Sequence, residues 1–419
     1  MKKIVLSTLL GALVSTFAQI APADAARCNW TVEGKVQVRE SLTDPSGTTM
    51  DRGLKSIDVK VSGATVGHIY NSWGTVHTDS NGNFSLTKTK NCSKRYLKVQ
   101  IRLKHSELKV KNPSGGEWVE IYETGSKRNS GTLDIGTKRF TDGSGTTELN
   151  SNEAFRRALA WYATKKVIDT FQSEDSYFDF NNTITVKYPA NVAFSSTSYA
   201  NGVERTAFVD PTYIWSNRGF LETVIHEVMH LWNYDHNSGM TNWLAAILGD
   251  SSTHSFQENP NVAYHEGFAE YAMEDIFHEI WGWDKIDFMS RTDLDSAGLT
   301  SPSILEGNDD GVRAALHLLT AKNLYPSSTF MKTCRNSPNI TFWDVLSVFE
   351  ESPSDGYSTE WPVGSSSVGV LDFFERSADI LNHFTDDDLE LYLDLLDADG
   401  TGDENDACSA RTWGRSRRF

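Results

Sequence analysis

Beyond its opening residues the sequence lacks any apolar run near the about 18 residues that a bilayer crossing needs, so no membrane span is expected in the folded protein. Positive charge is scarce as well. Thirty-nine Lys and Arg stand against 56 Asp and Glu, a net charge of −17, which makes nucleic acid and anionic membranes poor partners overall. A basic stretch over residues 88–112 is the exception; its lysines alternate with Leu97, Val99, Ile101 and Leu103, the pattern of a strand's solvated face. No internal repeat is visible. Cysteine is limited to Cys28, Cys92, Cys334 and Cys408.

What is present fits folded protein, with 39% hydrophobic and 11% aromatic residues in 419, enough for two or three domains. The first 25 residues carry Lys2 and Lys3, an apolar run from Ile4 to Val14, and small residues at Ala23 and Ala25. That order predicts a cleaved secretory signal over 1–25 and an extracellular or periplasmic destination. Arg27 before Cys28 excludes a lipoprotein anchor, which requires a small residue there. Loss of Lys2, Lys3 and Asp24 removes a net +1 and leaves −18. In an oxidising compartment four cysteines imply two disulfides before metal or catalytic thiols. Chain order favours Cys28 with Cys92 and Cys334 with Cys408, while sequence alone leaves the other pairings open.

From Trp30 to about Ile135 short alternating runs are broken by turn residues, among them Asn81-Gly82, which predicts an antiparallel β-sandwich over 27–140. The succession GKVQV, IDVKVSG, TDSNGNFSL, LKVQIRL resembles the transthyretin-like or carboxypeptidase-regulatory-like sandwich found beside secreted enzymes, and implies an accessory module. Residues 141–152, rich in Gly, Ser and Thr, read as a linker. The period then changes to that of helices. Phe155, Leu159, Tyr162 and Lys166 form one stripe of a long helix capped at Ser151 or Asn152. Two strand-like runs follow, TITVKYP and RTAFVDPTYIW, the second confined to a sheet edge by Pro211. Helices over about 218–234 and 261–280 come next, in a mainly helical region running to the end of the chain.

The stretch HEVMHLWNYDH, residues 226–236, carries the chemistry. Positions i and i+4 of a helix face the same way, so His226 and His230 can share one Zn2+, with Glu227 beside them to take a proton from water at the ion. This is the HExxH signature. Two candidates compete for the third ligand. His236 stands at metzincin spacing, with Asn233 in place of the glycine that ends that family's helix, but neither Met240 nor Met273 suits the methionine turn. Glu266 lies in YHEGFAEYAMEDIF, where Glu266 and Glu270 share a buried-looking face; like charges there repel unless a cation and a histidine N–H take them up.

HEVMH followed by HEGFAEY resembles the gluzincins, the thermolysin-like and aminopeptidase-like zinc peptidases. The resemblance covers about residues 150–330. It implies a zincin-like α+β catalytic domain over 153–419, zinc held by His226, His230 and Glu266, Glu227 as base, and Glu270 orienting a ligand. The 35 residues between His230 and Glu266 exceed the spacing of the best-known members. Gly202 and Glu204 faintly match the segment with which aminopeptidases grip a free amino terminus, although Arg205 replaces its asparagine; Glu204 also reads as a surface strand residue. Tyr325 and His317 are candidate oxyanion donors, neither assigned. Near the C-terminus Asp397, Asp399, Thr401 and Gly402 match the start of a calcium loop, but Cys408 falls where the bidentate carboxylate belongs, so an acidic turn before a disulfide is preferred to Ca2+.

The expectation is an exported zinc peptidase acting on a peptide or protein substrate. Its rivals are a metzincin using His236, and a noncatalytic adhesion or binding protein with zinc as scaffold. The sequence does not fix an oligomeric state.

Overall fold

The computed structural model describes residues 26–40, 50–112, 114–117, 119–141, 152–190, 198–211, 216–236, 260–282, 312–313, 316–317, 320 and 340–348. It is a mixed α/β structure of three four-stranded sheets and a few helices. None of the described helices is long and apolar enough to cross a membrane.

The first sheet is organised by β1 (Arg27–Glu40), whose Trp30, Val32, Val36 and Val38 are buried. It pairs antiparallel with β2 (Met50–Gly53) and with β5 (Asn83–Asn91), and parallel with β9 (Gly131–Phe140), so this sheet is mixed where an antiparallel one was expected. The second sheet runs β4 (Asn71–His77), β3 (Asp58–Ala64), β6 (Tyr96–Arg102), β8 (Val119–Glu123), all antiparallel. In β6 the alternation expected from the sequence is observed: Leu97, Val99 and Ile101 are inside and the residues between them half-buried. Trp30 and Trp73 meet edge to face at 5.7 Å, joining the cores of the two sheets. Cys28 and Cys92 form a disulfide that ties β1 to the chain just beyond β5; Cys334 and Cys408 lie outside the described residues.

The Asn81-Gly82 turn closes no hairpin. It carries the chain from β4 in one sheet to β5 in the other. Asp79 accepts hydrogen bonds from the backbone N–H groups of Asn81 and Asn83 (2.9 and 2.8 Å), and Gly82 takes φ +81°. A side chain at Gly82 would place Cβ 2.0 Å from the Val36 carbonyl oxygen, so the turn requires glycine for both reasons.

The third sheet joins the two halves of the sequence. Its order is β11 (Tyr199–Asn201), β12 (Thr206–Phe208), β10 (Ile184–Lys187), β7 (Leu108–Lys111). The last of these comes from the N-terminal region, between β6 and β8, and runs parallel to β10 with Leu108 opposite Ile184. Pro211 lies past the end of β12, which is flanked on both sides. The outer antiparallel strand is instead β11, three residues too short to announce itself by alternation.

Helix α1 (Asn152–Glu174) matches the expected long helix and packs where the sheets meet. Its Phe155, Leu159, Trp161, Val167 and Phe171 are buried. The lysine it buries is Lys165, since Lys166 points to solvent. Burial works against the charge of Lys165, but Asp169 and Glu107 at 2.6 and 2.7 Å hold its pKa above the ordinary lysine value. Glu107 immediately precedes β7, so this pair fastens α1 to the shared sheet. Helices α2 (Asn217–His236) and α3 (Pro260–Trp281) follow, and α4 (Phe342–Ser347) opens with a reciprocal Thr341–Asp344 capping box. Trp343 of α4 lies 5.4 Å from Phe171, adding this helix to the same core.

Candidate metal centre

Helix α2 begins where Ser216 Oγ accepts the Gly219 N–H (2.9 Å), and it is buried along most of its length, with Phe220, Leu221, Val224, Ile225, Val228, Met229, Leu231 and Trp232 inside. A helix of that kind belongs inside a fold. Its polar residues therefore sit at depth: Glu227 and His230 are 5% and 8% exposed.

His226, His230 and Glu266 converge. The two Nε2 atoms are 3.0 Å apart, and each lies 3.2 Å from Oε2 of Glu266, brought in by α3. Among the described residues this is the group of three side chains placed to hold a metal ion. The separations are close to the roughly 3.3 Å edge of a tetrahedron whose corners lie about 2.0 Å from a central cation. The donor set gives the same answer. A single proton between the imidazoles satisfies one edge of the triangle, whereas a cation satisfies all three donors and leaves a fourth corner open. Burial raises the pKa of the Glu266 carboxyl, but His230 and His226 outweigh it and hold the group well below the usual carboxylate range.

The structure separates the two candidate third ligands. Helix α2 continues through Asn233 to His236 without the left-handed break that the metzincin alternative requires. Asn233 is buried, and its Nδ2 donates to Nδ1 of His265 (2.9 Å). Burial, then His230, lowers the pKa of His265 to about 4, so it accepts that bond as a neutral ring. His236 stacks on Trp232 at 4.1 Å, and its Nδ1–H donates to the Trp232 carbonyl (2.8 Å). The groups that hold Asn233 and His236 in helical geometry lie within α2 and on α3.

Glu270, expected to orient a ligand histidine, forms an ion pair with Arg313 (3.1 Å). Arg313 supplies the cation that the sequence pattern demanded, from a helical segment 43 residues further on. The same segment carries His317, 2.6 Å from Glu274 and 4.9 Å from the ring of Tyr271. His317 is thus engaged in a packed seam with α3, and Tyr325 lies outside the described residues, as do Asp397, Asp399 and Thr401. Met273 packs on the core within α3, and Met240 also falls outside.

The 202–205 turn between β11 and β12 lies against α2. A Cβ at Gly202 would fall 2.3 Å from the Tyr234 ring, and Arg205, at φ +51°, spreads its guanidinium over the same ring at 4.8 Å while pairing with Asp235. Glu204 stays exposed and approaches Lys187 at 3.6 Å.

No family model matches the chain, and no curated protein does. Among solved structures the chain is similar to a 9R-lipoxygenase from Cyanothece PCC8801. The identity is 15%, the match covers 35% of this chain and 23% of the lipoxygenase, and the TM-score is 0.18.

Proposed function

We propose that the chain is an exported zinc peptidase of the gluzincin type, in which His226, His230 and Glu266 hold one Zn2+ and Glu227 is the general base. The observation that carries the proposal is the meeting of those three donor atoms at 3.0–3.2 Å from two separate helices. In this reading the two N-terminal sheets form a transthyretin-like sandwich, and the third sheet with α1 to α3 forms a zincin-like domain. The Cys28–Cys92 disulfide supports export.

A peptide or protein substrate adds its extended backbone to the side of β11 that has no strand partner among the described residues. Bound Zn2+ supplies Lewis acidity, polarising the scissile carbonyl and making water a stronger acid. Glu227, buried one residue after His226, accepts the proton of the attacking water on its carboxylate and delivers it to the leaving amine nitrogen. His226 and His230 would hold the ion through their Nε2 atoms. Glu270, clamped by Arg313, acts as a positioning residue by fixing the face of α3 that carries Glu266.

Glu227→Gln tests this. The variant is expected to keep one equivalent of zinc by elemental analysis and to lose casein hydrolysis by at least about 100-fold. Full activity in that variant sinks the role of Glu227. A protein that binds zinc stoichiometrically yet cleaves neither casein nor a peptide library sinks the peptidase reading in favour of a scaffold metal.

A further inference from the structure

The connection from β3 to β4 carries the most exposed large apolar side chains of the described residues, Val66 at 76% and Ile69 at 77%. Gly67 between them takes φ +57°, and a side chain added there would meet nothing within 4 Å, so this tip stands clear of the fold. Its base is aromatic. His68 packs on Tyr96 with ring centroids 4.9 Å apart and reaches the Tyr70 hydroxyl at 3.2 Å. Cations surround that base: Lys98 lies 5.3 Å from the Tyr70 ring, Lys127 lies 5.7 Å from Tyr96, and a backbone bridge sets Arg95 beside Arg128. Glu123 offsets Lys98 at 2.8 Å.

Single apolar side chains on a surface need no explanation. Two together on a protruding tip, above tyrosines and beside four cations in a chain of net charge −17, do. Apolar tip, aromatic base and cationic flank follow the chemistry of a bilayer interface from acyl chains to phosphates. A soluble polyanion or an acidic protein would satisfy the cations but leave Val66 and Ile69 in water. We propose that this tip docks the protein on an anionic phospholipid surface, with Val66 and Ile69 entering the acyl boundary and Arg95, Lys98, Lys127 and Arg128 meeting the headgroup phosphates. The net negative charge of the whole chain makes the attachment weak and salt-dependent.

The test is cosedimentation of the full-length protein with vesicles of phosphatidylcholine alone or mixed with phosphatidylserine, at low and at physiological salt, with heparin beads as a soluble-polyanion control. Binding is expected to the phosphatidylserine vesicles only. It should fall about tenfold in Val66→Ser/Ile69→Ser and at least about tenfold in Lys127→Glu/Arg128→Glu, while Ile69→Trp, which keeps the tip apolar, tightens it. Absence of binding to phosphatidylserine vesicles at low salt overturns the proposal. So does heparin retention combined with vesicle binding that is unchanged in Val66→Ser/Ile69→Ser, which would mark a polyanion patch. Should a serine variant melt early, Ile69→Trp decides: unchanged or weaker binding overturns the proposal. None of these residues belongs to the metal centre, so zinc content and hydrolysis report separately on that reading.

Discussion

The two N-terminal sheets and the α2–α3 pair bury side chains by different rules. In the sheets the inward residues are mostly Val, Ile, Leu, Trp and Phe, and the buried carboxylate of Glu40 in β1 is met by Arg52 of the neighbouring β2 at 2.9 Å. In the helical pair Glu227, His230, Asn233, His265 and Asp275 lie below the surface, inside an otherwise apolar envelope. Burying polar groups costs stability unless partners meet them. In the sheets partners come from adjacent strands; in the helices they come from across the chain, as Glu266 meets His226 and Arg313 meets Glu270. On the proposed reading the sheets serve stability and the helical pair carries the site, so substitutions in the two regions should fail differently.

Removing a donor gives the largest expected effect. Glu266→Ala or His230→Ala should abolish zinc retention through dialysis while His236→Phe retains a full equivalent; zinc kept in both donor variants would mean that the ion sits elsewhere. Ile101→Ala, in the core of the second sheet, should cost about 2–5 kcal/mol in urea unfolding and leave the zinc content of the folded fraction unchanged. Loss of zinc there would erase the contrast between the regions. Arg313→Met removes the ion pair with Glu270, which should weaken zinc binding about 10–100-fold by competition with a chelator, with a smaller effect on melting. Unaltered affinity would reduce Arg313 to a packing residue.

Glu107→Gln should have the smallest effect, about 1 kcal/mol at neutral pH. Burial raises the pKa of Glu107, but its bonds to Lys165 and Gln172 outweigh that, so the folded value lies below the ordinary 4.5. Its contribution is therefore present above that value and lost as pH falls through the lower folded pKa, where the melting temperatures of variant and parent should converge. A constant gap down to acid pH would show that the carboxylate is not the group responsible.

Helices were readable from sequence almost to the residue, since the 3.6-residue period is local: 218–234 and 261–280 became Asn217–His236 and Pro260–Trp281. The pairing of His226 with His230 is local in the same way. Glu266 was reachable through the like charges of Glu266 and Glu270 on one helix face and through the resemblance of HEGFAEY, whereas Arg313, the cation paired with Glu270, gave no local signal. The spacing of His236 pointed to a competing ligand, but Asn233 finds its partner on α3 and α2 does not break there. The role of β7 was hidden because parallel pairing between Leu108 and Ile184 leaves no turn in the sequence to mark it. The basic stretch 88–112 was visible in the sequence as a strand's solvated face, but its meeting with Lys127 and Arg128 around Tyr96 was not, because those residues come from another part of the chain.

That buried parallel pairing bears on how the chain would tolerate cutting. A protease nick anywhere in 142–151 severs the covalent link between the halves but leaves Leu108–Lys111 stitched into a sheet whose other strands belong to the second fragment. The pieces would therefore travel together on a sizing column and part only in denaturant. Two bands on a denaturing gel would then come from a single species in solution.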